Sequence, residues 1–205
     1  MSTDAEAIIS LYQRHAIAFA ATRDASLIER PWLACFLSHL PDGAQVLDLG
    51  CGFGQPIARH LLDQGCSVTG VDSSGPMIAM ARQDLPKGEW HEADMRGLDL
   101  NRRFHGVLAW NSSFHLTGDD QRALFDVFAR HTRPGGVLMF TTGLGAGEAL
   151  GRFESEPLYH ASLDPGEYRD LLRAHGFAPI EASQIRDPDA NRLVWLARRS
   201  GTTPP

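Results

Sequence analysis

The chain reads as a single α/β domain built on a mostly parallel sheet with helices packed against both faces. Three observations lead there: strand-length apolar runs alternate with helix-length segments between residues 45 and 142, the loops joining them are short, and 205 residues with 43% hydrophobic and 21% charged side chains suit one core. A parallel crossover needs a helix-length connection whereas a hairpin does not, so the alternation itself demands parallel pairing.

Residues 1–40 read as a helical cap. Ile8, Ile9, Leu11, Tyr12, Ala16 and Phe19 recur at helical spacing, and Pro31 suits the opening turn of a second helix over 32–40. After the turn Pro41-Asp42-Gly43 the period changes. Gln45-Val46-Leu47-Asp48-Leu49 is a short buried strand, 56–64 a helix with Pro56 at its first position and Gly65 at its end, and 67–71 the second strand. A helix over 76–82, a strand near 89–92, an apolar strand over 106–110 and a helix over 119–131 follow. Pro134-Gly135-Gly136 turns the chain into 137–141, whose lack of polar interruption makes it a central strand. The glycine-rich stretch from Gly143 reads as a long irregular loop, suited to a lid or an acceptor wall. Asp164-Pro165-Gly166-Glu167 opens a helix that Gly176 stops, and two strands, 177–185 and 192–197, close the chain as an antiparallel hairpin around the turn-rich 187–191. Residues 200–205 read as a frayed tail. One domain spans 1–205, divided into the cap (1–40), a cofactor-binding core (41–142) and an acceptor-side loop with closing elements (143–200).

A net charge of −6 and a pI near 5.8 argue against a surface that neutralises phosphates or grips anionic lipid, so neither nucleic acid nor membrane is expected and a small molecule is the expected partner class. Arg102-Arg103 and Arg198-Arg199 read as solvated turn and terminal charges. Cys35, Cys51 and Cys66 have neither CxxC spacing nor a nearby histidine pair, which points to reduced thiols and no metal site. The apolar run Ala16-Ile17-Ala18-Phe19-Ala20-Ala21 is too short for a signal core or a membrane span, so the expectation is a cytoplasmic monomer or homodimer.

The chemistry centres on a strand, Gly50-Cys51-Gly52-Phe53-Gly54, and then a helix. Glycines allow tight dihedrals and close backbone approach, while a helix N-terminus presents unpaired N–H groups. The second strand ends in Asp72, eighteen positions after Gly54, where a carboxylate can accept bonds from both ribose hydroxyls. An adenosyl cofactor is indicated. A dinucleotide fingerprint would place a glycine where this chain has Gln55, and Asp48, two residues before Gly50, opposes a pyrophosphate but suits an ammonium and a sulfonium. Asp48 also fits a turn carboxylate that holds the loop, and the two roles are compatible.

These residues, with Gly70-Val71-Asp72-Ser73-Ser74, Met77-Ile78, Ala93-Asp94-Met95, the strand ending at Trp110 and Arg133-Pro134-Gly135-Gly136, make the chain resemble the class I S-adenosylmethionine (SAM)-dependent methyltransferases over roughly 40–142. The resemblance implies a Rossmann-like three-layer sandwich with a seven-stranded sheet and one reversed strand near the end. It also implies that Gly50 and its neighbours Cys51, Gly52, Gly54 and Gln55 hold the methionine part of SAM, that Asp72 and Ser73 hold the ribose, and that Asp94 and the Met95 backbone hold the adenine. Met77 stands either against the adenine or in the core. Tyr12 and Arg23 of the cap are placed over the cofactor by the same resemblance, Arg23 either at the SAM carboxylate or on the surface.

In open parallel sheets, ligands lie beyond the carboxyl ends of the strands, so Asn111-Ser112-Ser113-Phe114-His115 faces the methyl group. Methyltransferases acting on amide or base nitrogens often carry Asn/Asp-Pro-Pro-aromatic there, and this chain departs from that pattern. His115 is either a general base or a helix-packing histidine, and Tyr159 and His160 are further acceptor-side candidates. In-line displacement at a sulfonium carbon requires no metal and no leaving-group acid, only alignment and exclusion of water. The competing readings are a SAM-binding regulatory or partner subunit without chemistry, and an NAD-dependent oxidoreductase that Gln55 and Asp48 fit poorly.

Overall fold

The structure is a computed structural model that describes residues 3–23, 26–180, 185–187 and 192–201. Two helices open it, α1 (Thr3–Thr22), kinked at His15, and α2 (Arg30–Leu37) with Pro31 in its first turn. Then come β1 (Gln45–Leu49), α3 (Ile57–Asp63), β2 (Ser67–Asp72), α4 (Gly75–Asp84), β3 (Glu89–Glu92), β4 (Phe104–Ala109), a short 3-10 turn (Ser113–His115), α5 (Gly118–His131) and β5 (Thr132–Thr142). The chain closes with β6 (Gly147–Phe153), β7 (Glu156–Ser162), α6 (Pro165–Ala174), β8 (Phe177–Pro179), β9 (Ile185–Asp187) and β10 (Arg192–Arg199). Helices start where side chains satisfy their first N–H groups: Thr117 accepts from Asp120 N at 3.2 Å and Asp164 from Gly166 N at 2.7 Å.

The main sheet runs β3-β2-β1-β4-β5-β10-β8, parallel from β3 to β5, with β10 antiparallel to both of its neighbours. β8 pairs Ala197–Arg199 and β9 pairs Arg192–Val194 along one side of β10, so the two segments fill a single edge position and the sheet has seven strand positions, one of them reversed. This is the expected Rossmann-like three-layer arrangement. The expected strand over 177–185 is shorter, since β8 ends at Pro179; 181–184, the turn residues 188–191 and the tail 202–205 lie outside the described residues.

Alternation along the strands builds two cores. Val46, Val68, Leu108, Val137, Met139, Val194 and Leu196 pack toward α2, α3 and α4, while Leu47, Leu49, Val107, Leu138, Phe140 and Trp195 pack toward α5 and α6. Phe140 stacks on Trp195 at 5.7 Å between centroids, a pair worth about 0.5–1.5 kcal/mol beyond its buried area.

Two expectations are corrected. Pro134-Gly135-Gly136 is not a turn ahead of the strand but an irregularity within β5: the ladder with β4 jumps from Phe104–Thr132 to Gly106–Val137, with Gly135 at φ +76°. The stretch after Gly143 is not irregular. From Gly147 it is the hairpin β6–β7, turned by Glu154 and Ser155, both at positive φ, and it packs against α1. Glu156 of β7 is paired with Arg14 and His15, which fastens the hairpin to α1.

Candidate active site

Sheet order reverses at β1, with β2 and β3 on one side and β4 and β5 on the other. The connections leaving β1 and β4 diverge at their carboxyl ends and leave a crevice, occupied here by a cavity of about 320 Å³.

Its floor is the glycine loop. Gly50 N and Cys51 N donate to the Val71 carbonyl at 2.7 and 3.1 Å, and Gly52 N donates to Asp72 Oδ2 at 2.8 Å, so the loop is tied to the end of β2. Gly50 sits at φ +72°, and a Cβ there would lie 2.3 Å from Ser112 Cβ. Ser112 in turn donates its hydroxyl to the Leu49 carbonyl at 2.7 Å, locking the β4 loop onto the β1 loop. Gly54 corrects an expectation: it does not line the cavity, because its missing Cβ makes room for Leu85 and Trp90, 2.7 and 3.0 Å away. Its role is helix–sheet packing.

Asp48 continues the Val46 row of β1 into the cavity wall, only 4% exposed. Burial, and then the neighbouring Asp72, push its carboxyl up to about 7. Asp72 is also raised by burial, although the backbone N–H groups of Ser74 and Gly52 oppose the shift. Asp94 lines the same cavity, held by the Arg96 guanidinium and backbone N. This end of the cavity therefore gathers three carboxylates: Asp94 is offset by Arg96, while Asp48 and Asp72 stand together with no ion pair among the described residues. Gln55, Ser73, Met77 and Met95 complete it.

Tyr12, Phe19 and Arg23 form the roof. Arg23 is held at 2.5 Å by Glu29, a carboxylate 1% exposed whose other oxygen has no hydrogen-bond partner among the described residues. On the far wall, His115 bonds through Nδ1 to the Tyr159 carbonyl at 2.8 Å and through Nε2 to the Tyr12 hydroxyl at 3.0 Å. A carbonyl only accepts, so Nδ1 carries the proton and Nε2 accepts from Tyr12. Burial, with His160 nearby, pushes the imidazole down to about 4, and burial, with Asp72, pushes the Tyr12 hydroxyl up to about 12. His160 donates from Nδ1 to the Leu158 carbonyl and lies 4.8 Å from the His115 ring; burial lowers its pKa also.

The structure thus brings His115 and His160 to the cavity and leaves Tyr159 out of its lining. Successive residues of β7 point to opposite faces, and Tyr159, 1% exposed, packs on Ile8 and Ala161. What Tyr159 gives the site is its carbonyl. Asn111 lines the cavity at φ +51°, its N donating to Thr141 Oγ1 at 2.8 Å and its Oδ1 accepting from Arg192 at 2.9 Å. Glu29, Thr141 and Arg192 are site-shaping residues that the sequence did not mark, because each acts through a partner that only the folded chain brings to it.

A methyltransferase domain model matches residues 46–136. A trans-aconitate 2-methyltransferase from Azoarcus sp. (strain BH72) is 40% identical over 193 residues, covering 80% of this chain and 71% of that protein. The chain belongs to the class I SAM-dependent methyltransferases. Another relative is the dTDP-3-amino-3,6-dideoxy-alpha-D-glucopyranose N,N-dimethyltransferase of Streptomyces fradiae, 40% identical over 103 residues, 49% of this chain and 40% of that one. This family member spans 40%, 58% and 44% of the length of the first three curated relatives it matches. Its fold is shared with the Burkholderia thailandensis 1,6-didemethyltoxoflavin-N1-methyltransferase solved with S-adenosylhomocysteine (SAH), TM-score 0.73, 24% identity, covering 98% of this chain and 92% of that one. It is likewise shared with DhpI in complex with SAH, TM-score 0.74, 20% identity, covering 98% and 100%. Among the described residues, no helix is long and apolar enough to cross a membrane.

Proposed function

We propose that this chain transfers the methyl group of SAM to a small-molecule acceptor. The observation that carries the reading is Asp48: a carboxylate 4% exposed, beside Asp72, at the wall of the cavity whose floor is the glycine loop. Burying such a group is costly unless a cation meets it there, and SAM brings an ammonium and a sulfonium. The residues present fit the donor. Gly50 leaves space that any Cβ would fill, Asp72 suits the ribose hydroxyls, Asp94 with the Met95 backbone suits the adenine, and Arg23, steadied by Glu29, suits the carboxylate.

When bound, SAM supplies a methyl carbon activated by its positive sulfur. Asp48 and the loop fix the donor end, and the α1 roof with Tyr12 and Phe19 keeps water from the cavity. His115 and His160 form the acceptor wall with Phe114. His115 stands there as a neutral ring whose orientation is fixed, both of its nitrogens being engaged by the Tyr159 carbonyl and the Tyr12 hydroxyl. Alignment of this kind is worth about 7–11 kcal/mol at best. The methyltransferase relatives named above act on small acceptors, an aconitate and an amino sugar, and both support the small-molecule class. Three cysteines without disulfides accord with a cytoplasmic setting.

Purified protein incubated with methyl-labelled SAM and the low-mass fraction of its source cells should pass label to a new compound. Tight SAH binding without any such transfer would favour a regulatory subunit instead.

A further inference from the structure

A second cavity adjoins the first, and Asn111, Phe114 and His160 line both. His160 therefore stands on the boundary between them, at the end where the residues after β4 face the acceptor. Its ring is held from several sides. Phe114 and His115 lie 5.2 and 4.8 Å away between centroids, and β6 passes beside it at Gly151, where a Cβ would lie 3.6 Å from Cε1. Nδ1 donates to the Leu158 carbonyl at 3.1 Å, which fixes the tautomer and leaves the lone pair on Nε2. Among the described residues no hydrogen bond engages that nitrogen. His115 differs on both counts: it is 9% exposed with both nitrogens engaged, whereas His160 is half-buried with one nitrogen open.

We propose that His160 is the catalytic base of the transfer, its Nε2 taking the proton from an acceptor that attacks through a neutral O–H or N–H group. The proposal rests on the reading of the first cavity as the methyl-donor site. The acceptor's lone pair forms the bond to the methyl carbon while the carbon–sulfur bond breaks and its electron pair stays on sulfur. The acceptor's proton passes to Nε2. The products are a methyl ether or an N-methyl amine, a neutral thioether and an imidazolium, which returns its proton to water. A base has to be neutral to act, and burial holds the His160 pKa below its ordinary 6.5. The titratable and charged groups that the surrounding elements turn to its two cavities are His115 of the turn after β4, Tyr12 of α1 with Arg23 beyond it, Asp120 of α5 and Arg192 of β10. Glu148 and Arg152 of β6 fall on the other face of the hairpin, opposite Ala161 and Pro157.

Label transferred from methyl-labelled SAM to the low-mass cell fraction should survive mild alkali, which cleaves methyl esters and spares ethers and N-methyl groups. Retention of the labelled product on a cation exchanger then marks an amine acceptor, and passage a hydroxyl. With both substrates saturating, kcat of the unaltered protein should fall toward acid through one group that titrates below 6.5. His160→Asn, whose amide can keep the bond to the Leu158 carbonyl, should lower kcat by about a hundredfold or more with KM changed far less, lose that acid limb, and keep SAH affinity, showing that it folds. Alkali-labile label, no acid limb in the unaltered protein, the same limb persisting in His160→Asn, or SAH binding with no transfer would overturn the proposal. Failure of the unaltered protein to bind SAH would overturn the donor reading beneath it.

Discussion

The Tyr12 hydroxyl stands 3.0 Å from His115 Nε2, joining the first helix of the chain to the turn that follows β4 across the mouth of the cavity. The bond has one direction, from phenol to imidazole, because His115 Nδ1 is committed to the Tyr159 carbonyl. Tyr12→Phe leaves a buried acceptor unpaired, a loss of about 1–3 kcal/mol. For a domain of this size the thermal midpoint should fall by about 2–4 °C per kcal/mol, and hydrogen exchange should quicken in α1. An unchanged midpoint would mean that the pair contributes nothing to the closed roof.

His115 has a second consequence, in pH. Its folded pKa, about 4, lies below the ordinary 6.5, so between those values the unfolded chain binds more protons and stability rises with pH across that window. Above it the imidazole is neutral. With both substrates saturating, kcat should show no acid limb near pH 6.5 that His115→Gln removes; finding one would restore His115 as a base.

Asp48 gives the opposite sign. Its folded pKa, about 7, lies above the ordinary 3.8, so the ligand-free protein should lose stability as pH rises from about 4 through about 7. A cationic ligand reverses the preference. Binding of SAM at about pH 6 should release close to one proton, falling to none by about pH 8.5, as read by calorimetry in buffers of different ionisation enthalpy. Asp48→Asn should abolish the release. Proton release that persists in this variant would place the titrating group elsewhere.

The three loop glycines should separate by readout. Gly50→Ala, whose Cβ would be 2.3 Å from Ser112, should lose SAH binding outright, whereas Gly54→Ala, crowding Leu85 and Trp90, should lower stability before it lowers affinity. At Gly52 the nearest atom is Met77 Sδ at 3.4 Å, so its cost should come from the φ of +55° alone and be smaller. Equal losses of SAH affinity at Gly50 and Gly54 would contradict the placement of Gly54 behind the cavity.

What the sequence told correctly, it told through local spacing. β1, the glycine loop, Asp72 at the end of β2 and the loop after β4 follow from periodicity and from residues whose conformational needs are specific, and they brought Asp48, Asp72, Asp94 and Asn111 to one cavity. The hairpin β6–β7 left no such trace. β6 is exposed along nearly its whole length, so no apolar alternation marks it, and its turn uses Glu154 and Ser155 at positive φ in place of the glycine or asparagine that would announce it. Missing the hairpin hid the alternation that sends Tyr159 and His160 to opposite faces. Arg192 and Glu29 were illegible for another reason: their meaning lies in Asn111 and Arg23, contacts that only the folded chain creates.

The central claim is that the carboxylate-lined cavity over the glycine loop holds SAM. Calorimetric titration with SAM, SAH and NAD tests it most directly. Saturable binding of SAM and SAH at one site per chain, lost in Asp72→Ala, with no heat from NAD, is the predicted result. A folded protein that binds neither SAM nor SAH, or that prefers NAD, would contradict it.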